Sequence, residues 1–166
     1  MFSRILVPTD FSPASDAALD YARSLAATFG ASLQLLHVIE DPTASTAFVA
    51  DGFAPDTPDI RQAILAHARA RLASTLSAVD RARFHATAEA FVGTPATTIV
   101  DYAVATATNL IVMGTHGRTG LAHLLMGSVA EHVVPTAECP VLTVRRAGVV
   151  DEAGVPVLDN RLPMPA

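Results

Sequence analysis

Four short apolar runs rich in β-branched residues punctuate this chain: Arg4 to Val7 (RILV), Leu33 to Ile39 (LQLLHVI), Leu110 to Met113 (LIVM) and Pro140 to Val144 (PVLTV). Runs of four to seven residues with few charges match strands buried on both faces of a parallel sheet, because such strands have no solvent side to make them alternate. Between them lie segments with helical spacing. A fifth stretch, Phe84, Ala86, Ala88, Ala90 and Val92, alternates with more polar residues and predicts a half-buried edge strand.

The intervening segments carry helix start signals. Ser12 followed by Pro13 places a capping residue before a proline at the first helical position, and Ala14, Ala18, Tyr21, Leu25 and Phe29 then recur every three or four residues up to Gly30. Ile60, Ile64, Ala68, Leu72, Leu76 and Val79 predict a second, long helix. Thr94 and Pro95 repeat the cap-then-proline start of a third, with Ile99, Tyr102, Ala103 and Ala107 on its apolar face, and Ser128 to Val134 reads as a short helix halted near Pro135. Strands alternating with helices in this way predict a mainly parallel sheet with right-handed crossovers and helices on both faces. The expected domain runs over residues 1–146. Two segments have no clean period: 41–58, a loop with several prolines, and 147–166, which reads as a tail.

Composition removes several function classes. No apolar run approaches the ~18 to 20 residues that cross a bilayer, and Asp10 interrupts the N-terminal apolar stretch too early for a signal peptide. The expectation is a cytoplasmic protein with no membrane partner. The single Cys139 makes no internal disulfide, and the six histidines show no zinc spacing with it. The net charge is −5 and the eleven basic residues are all arginines, scattered without a basic stripe, so nucleic acid is not an expected partner. Having no lysine, the chain cannot form a Walker-type P-loop, which needs one to reach the β and γ phosphates.

The chemistry concentrates after the LIVM run. Gly114-Thr-His-Gly117-Arg-Thr-Gly120 through Gly127-Ser128 lies between a buried strand and a helix start, where doubly wound sheets bind phosphate-bearing ligands. Gly114 lets the chain turn off the strand, while Gly117 and Gly120 allow positive φ or close approach of a ligand to the main chain. Gly127 and Ser128 open a helix whose amides and positive dipole end favour an anion. A glycine-rich turn with an ordinary serine cap is the plainer reading of the same residues.

The chain resembles the universal stress protein family, specifically its ATP-binding branch. The resemblance spans Phe2 to about Arg145 and rests on ILVPTDFSPAS (5–15), LLHVIE (35–40) and IVMGTHGRTGLAHLLMGSVAEHVV (111–134). It implies a Rossmann-like, three-layer α/β/α fold with a five-stranded parallel sheet in the order 3-2-1-4-5. Strand one then lies beside strand four, and Pro8 to Asp10 beside Met113 and Gly114. It further implies that Pro8, Thr9 and Asp10 line the adenosine end of an ATP site, that the main chain of Val38 meets the adenine edge, and that Met113 and Gly114 sit by the ribose. Gly117, Gly127, Ser128 and Val129 would hold the phosphates, with His116 and Arg118 nearby.

Each residue has an alternative. Asp10 can simply cap the turn after strand one; Val38 is a core residue in either case; His116 and Arg118 can be solvated loop residues. A divalent ion such as Mg or Mn could arrive with the nucleotide, held by its phosphates and by a carboxylate such as Asp10.

Three functions follow for comparison. The first is a nucleotide-dependent stress-response sensor or regulator. The second is a slow ATPase or phosphotransferase, for which His116, Asp10 and Arg118 are the only candidate groups and no fixed acid–base pair is visible. The third is a nucleotide-free structural protein working through dimer contacts. The resemblance implies a homodimer paired through strand five, Pro140 to Val144, an apolar edge that would otherwise be exposed.

Overall fold

The computed structural model describes residues 2–40, 58–115 and 127–145. Five strands, β1 (Arg4–Pro8), β2 (Ser32–Ile39), β3 (Thr87–Val92), β4 (Leu110–Gly114) and β5 (Val141–Val144), alternate with α1 (Pro13–Phe29), α2 (Pro58–Thr75), α3 (Ala78–Phe84), α4 (Pro95–Ala105) and α5 (Ser128–Thr136). All strand pairs are parallel, in the order β3-β2-β1-β4-β5. The expected fold class and strand order are both observed, with β3 and β5 as the two edges.

Period-two alternation divides the strand side chains between two cores. Ile5, Val7, Leu33, Leu35, Leu110 and Val112 pack on one face, where Ala18, Leu19, Ala22 and Ala26 of α1 meet Leu72 of α2 and Phe84 of α3. Leu6, Leu36, Ile111 and Met113 pack on the other, against Ile99 and Ala103 of α4 and Ala130 and Val133 of α5. The central strands are buried on both sides, hence their unbroken apolar runs.

Local signals explain the helix ends. Ser12 caps α1 by accepting the Ser15 N–H at 3.3 Å, Pro13 follows in the first turn, and Gly30 closes the helix at φ 66°, returning its N–H to the Ala26 carbonyl. The face of α1 differs from the expected one. Its buried residues are Ala14, Ser15, Ala18, Leu19, Ala22 and Ala26, whereas Tyr21 is 58% exposed. Small alanines let the helix approach the sheet closely, and that contact outweighs the larger apolar side chains in fixing its orientation.

The long helix expected over Ile60 to Val79 is instead two helices. Ser77 leaves the helical region and forms a capping box with Asp80: the Ser77 hydroxyl accepts the Asp80 N–H at 3.1 Å, and the Asp80 carboxylate accepts the Ser77 N–H at 2.8 Å. Val79 is therefore not a core residue but 65% exposed, and Phe84, expected to begin a strand, is the buried end of α3. Asp80 also takes a bidentate contact from Arg23 of α1, with Nε to Oδ1 at 3.0 Å and Nη2 to Oδ2 at 2.8 Å. Asp80 is only 4% exposed, and Arg23 holds its pKa down from the ordinary 3.8 to about 2. Thr94 occupies the N-cap position of α4 as expected but makes no side-chain capping bond among the described residues. Pro135 lies within the last turn of α5, which runs on to Thr136.

Candidate functional site

At the carboxyl ends of β1 and β4 the strand order reverses: β2 and β3 lie to one side of β1, β4 and β5 to the other. Chains leaving neighbouring strands toward opposite sides open a crevice at this switch point. A cleft of about 490 Å3 occupies it. Its walls include Pro8, Thr9 and Asp10 at the end of β1, Val38 in β2, Met113 and Gly114 in β4, and Gly127, Ser128 and Val129 at the start of α5. Nine residues expected from sequence thus come together in one cavity. His116, Gly117 and Arg118 lie outside the described residues.

The β1 wall is held by a chain of short hydrogen bonds. Thr9 donates its N–H to the Leu36 carbonyl at 2.8 Å, and its hydroxyl donates to Ser15 Oγ at 3.0 Å while accepting the Phe11 N–H at 3.0 Å. Ser15 Oγ donates in turn to the Ser12 carbonyl at 2.9 Å. The Thr9 carbonyl accepts from Nδ1 of His37 at 2.7 Å. Asp10 Oδ1 accepts the Ser12 N–H at 3.1 Å, so the turn-capping role is realised.

Phe11 completes the turn at φ 61°, a left-handed conformation costly for a residue with a Cβ. Its ring offsets that cost by packing on the His37 ring, with centroids 4.5 Å apart, while the Arg71 guanidinium of α2 lies 4.1 Å from the Phe11 centroid.

Alternation explains what β2 presents to the cleft. The Leu36 carbonyl bonds Thr9 on the β1 side, and the Ile39 carbonyl bonds Gly93 on the β3 side. Val38 shares parity with Leu36, so its N–H and C=O are directed to the β1 side. The β1 ladder ends at the Pro8–Leu36 pair, so these groups face the space that β1 has left.

On the opposite wall, Gly114 is required by packing rather than by φ. A Cβ there would lie 2.9 Å from the Ala14 carbonyl carbon and 3.0 Å from its Cβ, so glycine allows α1 to cross β4 directly below the cleft. Thr115 N–H bonds the Val144 carbonyl at 3.0 Å, and Thr115 in turn accepts the Gly127 N–H, which brings the start of α5 to the end of β4. Gly127 is the N-cap of α5 and has no side chain with which to cap it. The first-turn amides of α5 are therefore placed at the cleft with the positive end of the helix dipole.

Several lining residues were not singled out from sequence: Ser15, His37, Glu40, Pro95, Ile99 and Thr115. They come from four separate places in the chain, so no local spacing groups them. Among the described residues no cluster of His, Cys, Asp and Glu could hold a metal ion, and no helix is long and apolar enough to cross a membrane. Burial pushes the Cys139 thiol above its ordinary pKa, away from thiolate chemistry.

A doubly wound parallel sheet with a ligand-sized cleft at its switch point defines a Rossmann-like α/β protein. Comparison with known proteins narrows the class. The chain belongs to the universal stress protein family, whose model matches residues 1–145. Universal stress protein MJ0531 of Methanocaldococcus jannaschii is 32% identical over 146 residues, covering 88% of this chain and 84% of the relative. The solved structure of protein MJ0577 from the same organism superposes with a TM-score of 0.75 at 28% identity, covering 90% of this chain and 99% of that one. A universal stress protein solved in complex with cAMP gives a TM-score of 0.55 at 26% identity, covering 87% and 97%.

Proposed function

We propose that the cleft binds an adenine nucleotide, ATP in the first instance, and that the protein acts in the cytoplasm as a nucleotide-dependent sensor or regulator of the stress response. The observation that carries this reading is the convergence of the Pro8–Asp10 turn, the outward main chain of Val38 and the uncapped start of α5 on one cavity. Its volume lies within the ~300 to 1,000 Å3 typical of small-molecule sites. The related protein in complex with cAMP supports the adenine nucleotide class.

In this reading Pro8, Thr9 and Asp10 line the adenosine end, and the N–H and C=O of Val38 meet the adenine edge. Met113 and Gly114 flank the ribose. The amides of Gly127, Ser128 and Val129 and the Ser128 hydroxyl hold the phosphates, together with Gly117, His116 and Arg118. Mg or Mn would enter with the phosphates, with a carboxylate such as Asp10 as a further ligand.

The reading is one of binding without fast turnover. Asp10 already spends one oxygen on its own turn, and among the described lining residues no acid–base pair is set to activate water. Pairing of two copies through residues 140–144 completes the proposal, since β5 is a sheet edge with Leu142 36% exposed.

Equilibrium binding of labelled ATP to the wild type and to Gly117→Val tests the site. The wild type is expected to bind at least tenfold more tightly, roughly 1.4 kcal/mol; equal affinities reject the phosphate loop. Phosphate release in the same samples separates sensor from enzyme, and turnover well above about one per minute, low against ordinary enzymes, would favour the ATPase.

A further inference from the structure

A second cavity, of about 460 Å3, runs between α4 and α5 and adjoins the cleft. The two share Glu40, Pro95, Ser128 and Val129, so a ligand seated at the start of α5 has the second cavity directly beside it. Ser128, His132 and Thr136 recur every four residues along one wall, a span of ~12 Å at the rise of an α-helix. Thr97 and Asp101, four apart on α4, form the facing wall, and the half-buried side chains of Val100 and Val129 lie between.

The groove adds to the shared Glu40 a carboxylate that the cleft does not have, Asp101. Among its described lining residues stand two carboxylates, Glu40 and Asp101, and no arginine. His132 donates Nδ1–H to the Ser128 carbonyl at 2.7 Å, so the neutral form of the ring presents Nε2 as an acceptor. Hydroxyls, an imidazole acceptor and carboxylates over an apolar floor suit an uncharged or cationic group with hydrogen-bond donors.

Resting on the adenine-nucleotide reading of the cleft, we infer that the groove takes a second ring carried beyond the phosphates, so that the ligand class extends to adenine dinucleotides whose distal ring is neutral or cationic. The diphosphate of such a ligand stays at the start of α5, while its distal ring covers Val100 and Val129 and meets Asp101. A free mononucleotide leaves that apolar floor in water.

Equilibrium binding of ADP, ADP-ribose and NAD+ to the whole protein tests this. NAD+ is expected to bind about tenfold more tightly than ADP, with ADP-ribose close to ADP. Thr97→Trp fills the groove from an exposed position, and Asp101→Arg reverses its charge without filling it; neither residue lines the cleft. Each variant should abolish the preference for NAD+ and leave ADP affinity unchanged, and the charge variant keeps the test decisive if the tryptophan variant does not fold. Equal affinities of ADP and NAD+ for the wild type, or a preference that survives in either folded variant, would overturn the inference while leaving the nucleotide cleft standing. Failure of all three ligands to bind would reject the cleft reading, and the groove proposal with it.

Discussion

Nδ1 of His37 donates to the carbonyl of Thr9 at 2.7 Å, tying the middle of β2 to the turn that forms one wall of the cleft. The carbonyl cannot donate, so the ring carries a proton on Nδ1. With the Thr9 N–H and hydroxyl also engaged, every polar atom of Thr9 is fixed, and the left-handed Phe11 is packed against the same ring.

His37→Leu should therefore loosen the turn, lowering the melting temperature and weakening adenine nucleotide binding about tenfold; leaving a buried carbonyl without its donor costs roughly 1–3 kcal/mol. His37→Asn places an amide N–H near the position of Nδ1 and should restore much of both. Melting curves and ligand titrations on the two variants check this, and an asparagine variant no better than leucine would assign His37 to packing alone.

Stability should fall in acid through Asp80. Its folded-state pKa, about 2, lies below the ordinary 3.8, so the unfolded chain takes up a proton first as pH drops. The contribution is complete above about pH 4 and disappears as pH falls toward 2, amounting to about 2 kcal/mol. Urea unfolding between pH 7 and 2.5 should show this loss in the wild type. In Asp80→Asn the corresponding part of the acid dependence should be absent and stability at neutral pH lower by about 2 kcal/mol or more, since Arg23 then loses its buried charged partner and keeps only the exposed Asp20.

Two glycines should respond to alanine for different reasons. Gly114→Ala drives a Cβ into the backbone of Ala14 and should cost roughly 1–3 kcal/mol, with ligand binding reduced because α1 and β4 are pushed apart below the cleft. Gly30→Ala meets nothing within 4 Å and suffers only its φ of 66°, a cost of about 1 kcal/mol with binding intact. Paired unfolding and binding measurements distinguish them; weakened binding in the Gly30 variant would contradict the assignment.

The proposed β5 pairing has a directional test. The carbonyls of Pro140 and Val144 bond toward β4, so the main chain of Val141 and Thr143 points away from the sheet. Thr143→Pro removes an outward N–H without touching the β4 ladder and should convert a dimer to a monomer that retains its fold. Light scattering at micromolar concentration reads the outcome; a wild type that is already monomeric would dispose of the proposed interface.

Most of the fold was legible locally, because RILV and LIVM are long enough in β-branched and aliphatic residues to specify central strands, and Ser12-Pro13 to Gly30 carries both helix ends. The break at Ser77 was not recognised because apolar spacing continues through Leu76 to Val79. Its signal was present in the Ser77–Asp80 spacing, which is a capping box. Tyr21 misled for another reason: helical period identifies a face but cannot decide whether large residues or small ones lie closest to the sheet.

The residues alone determined the strands, most helix ends, the glycines at which the chain turns and, through motif likeness, both walls of the cleft. Only the tertiary structure decided that His37 anchors Thr9, that Ala14 compels glycine at 114, that Arg23 closes on Asp80, and that a second groove adjoins the first. The physical reason is distance along the chain. Local propensity acts within a few residues, whereas these contacts join groups 28 to about 100 residues apart, which parallel pairing and two-sided packing bring together only when the sheet assembles.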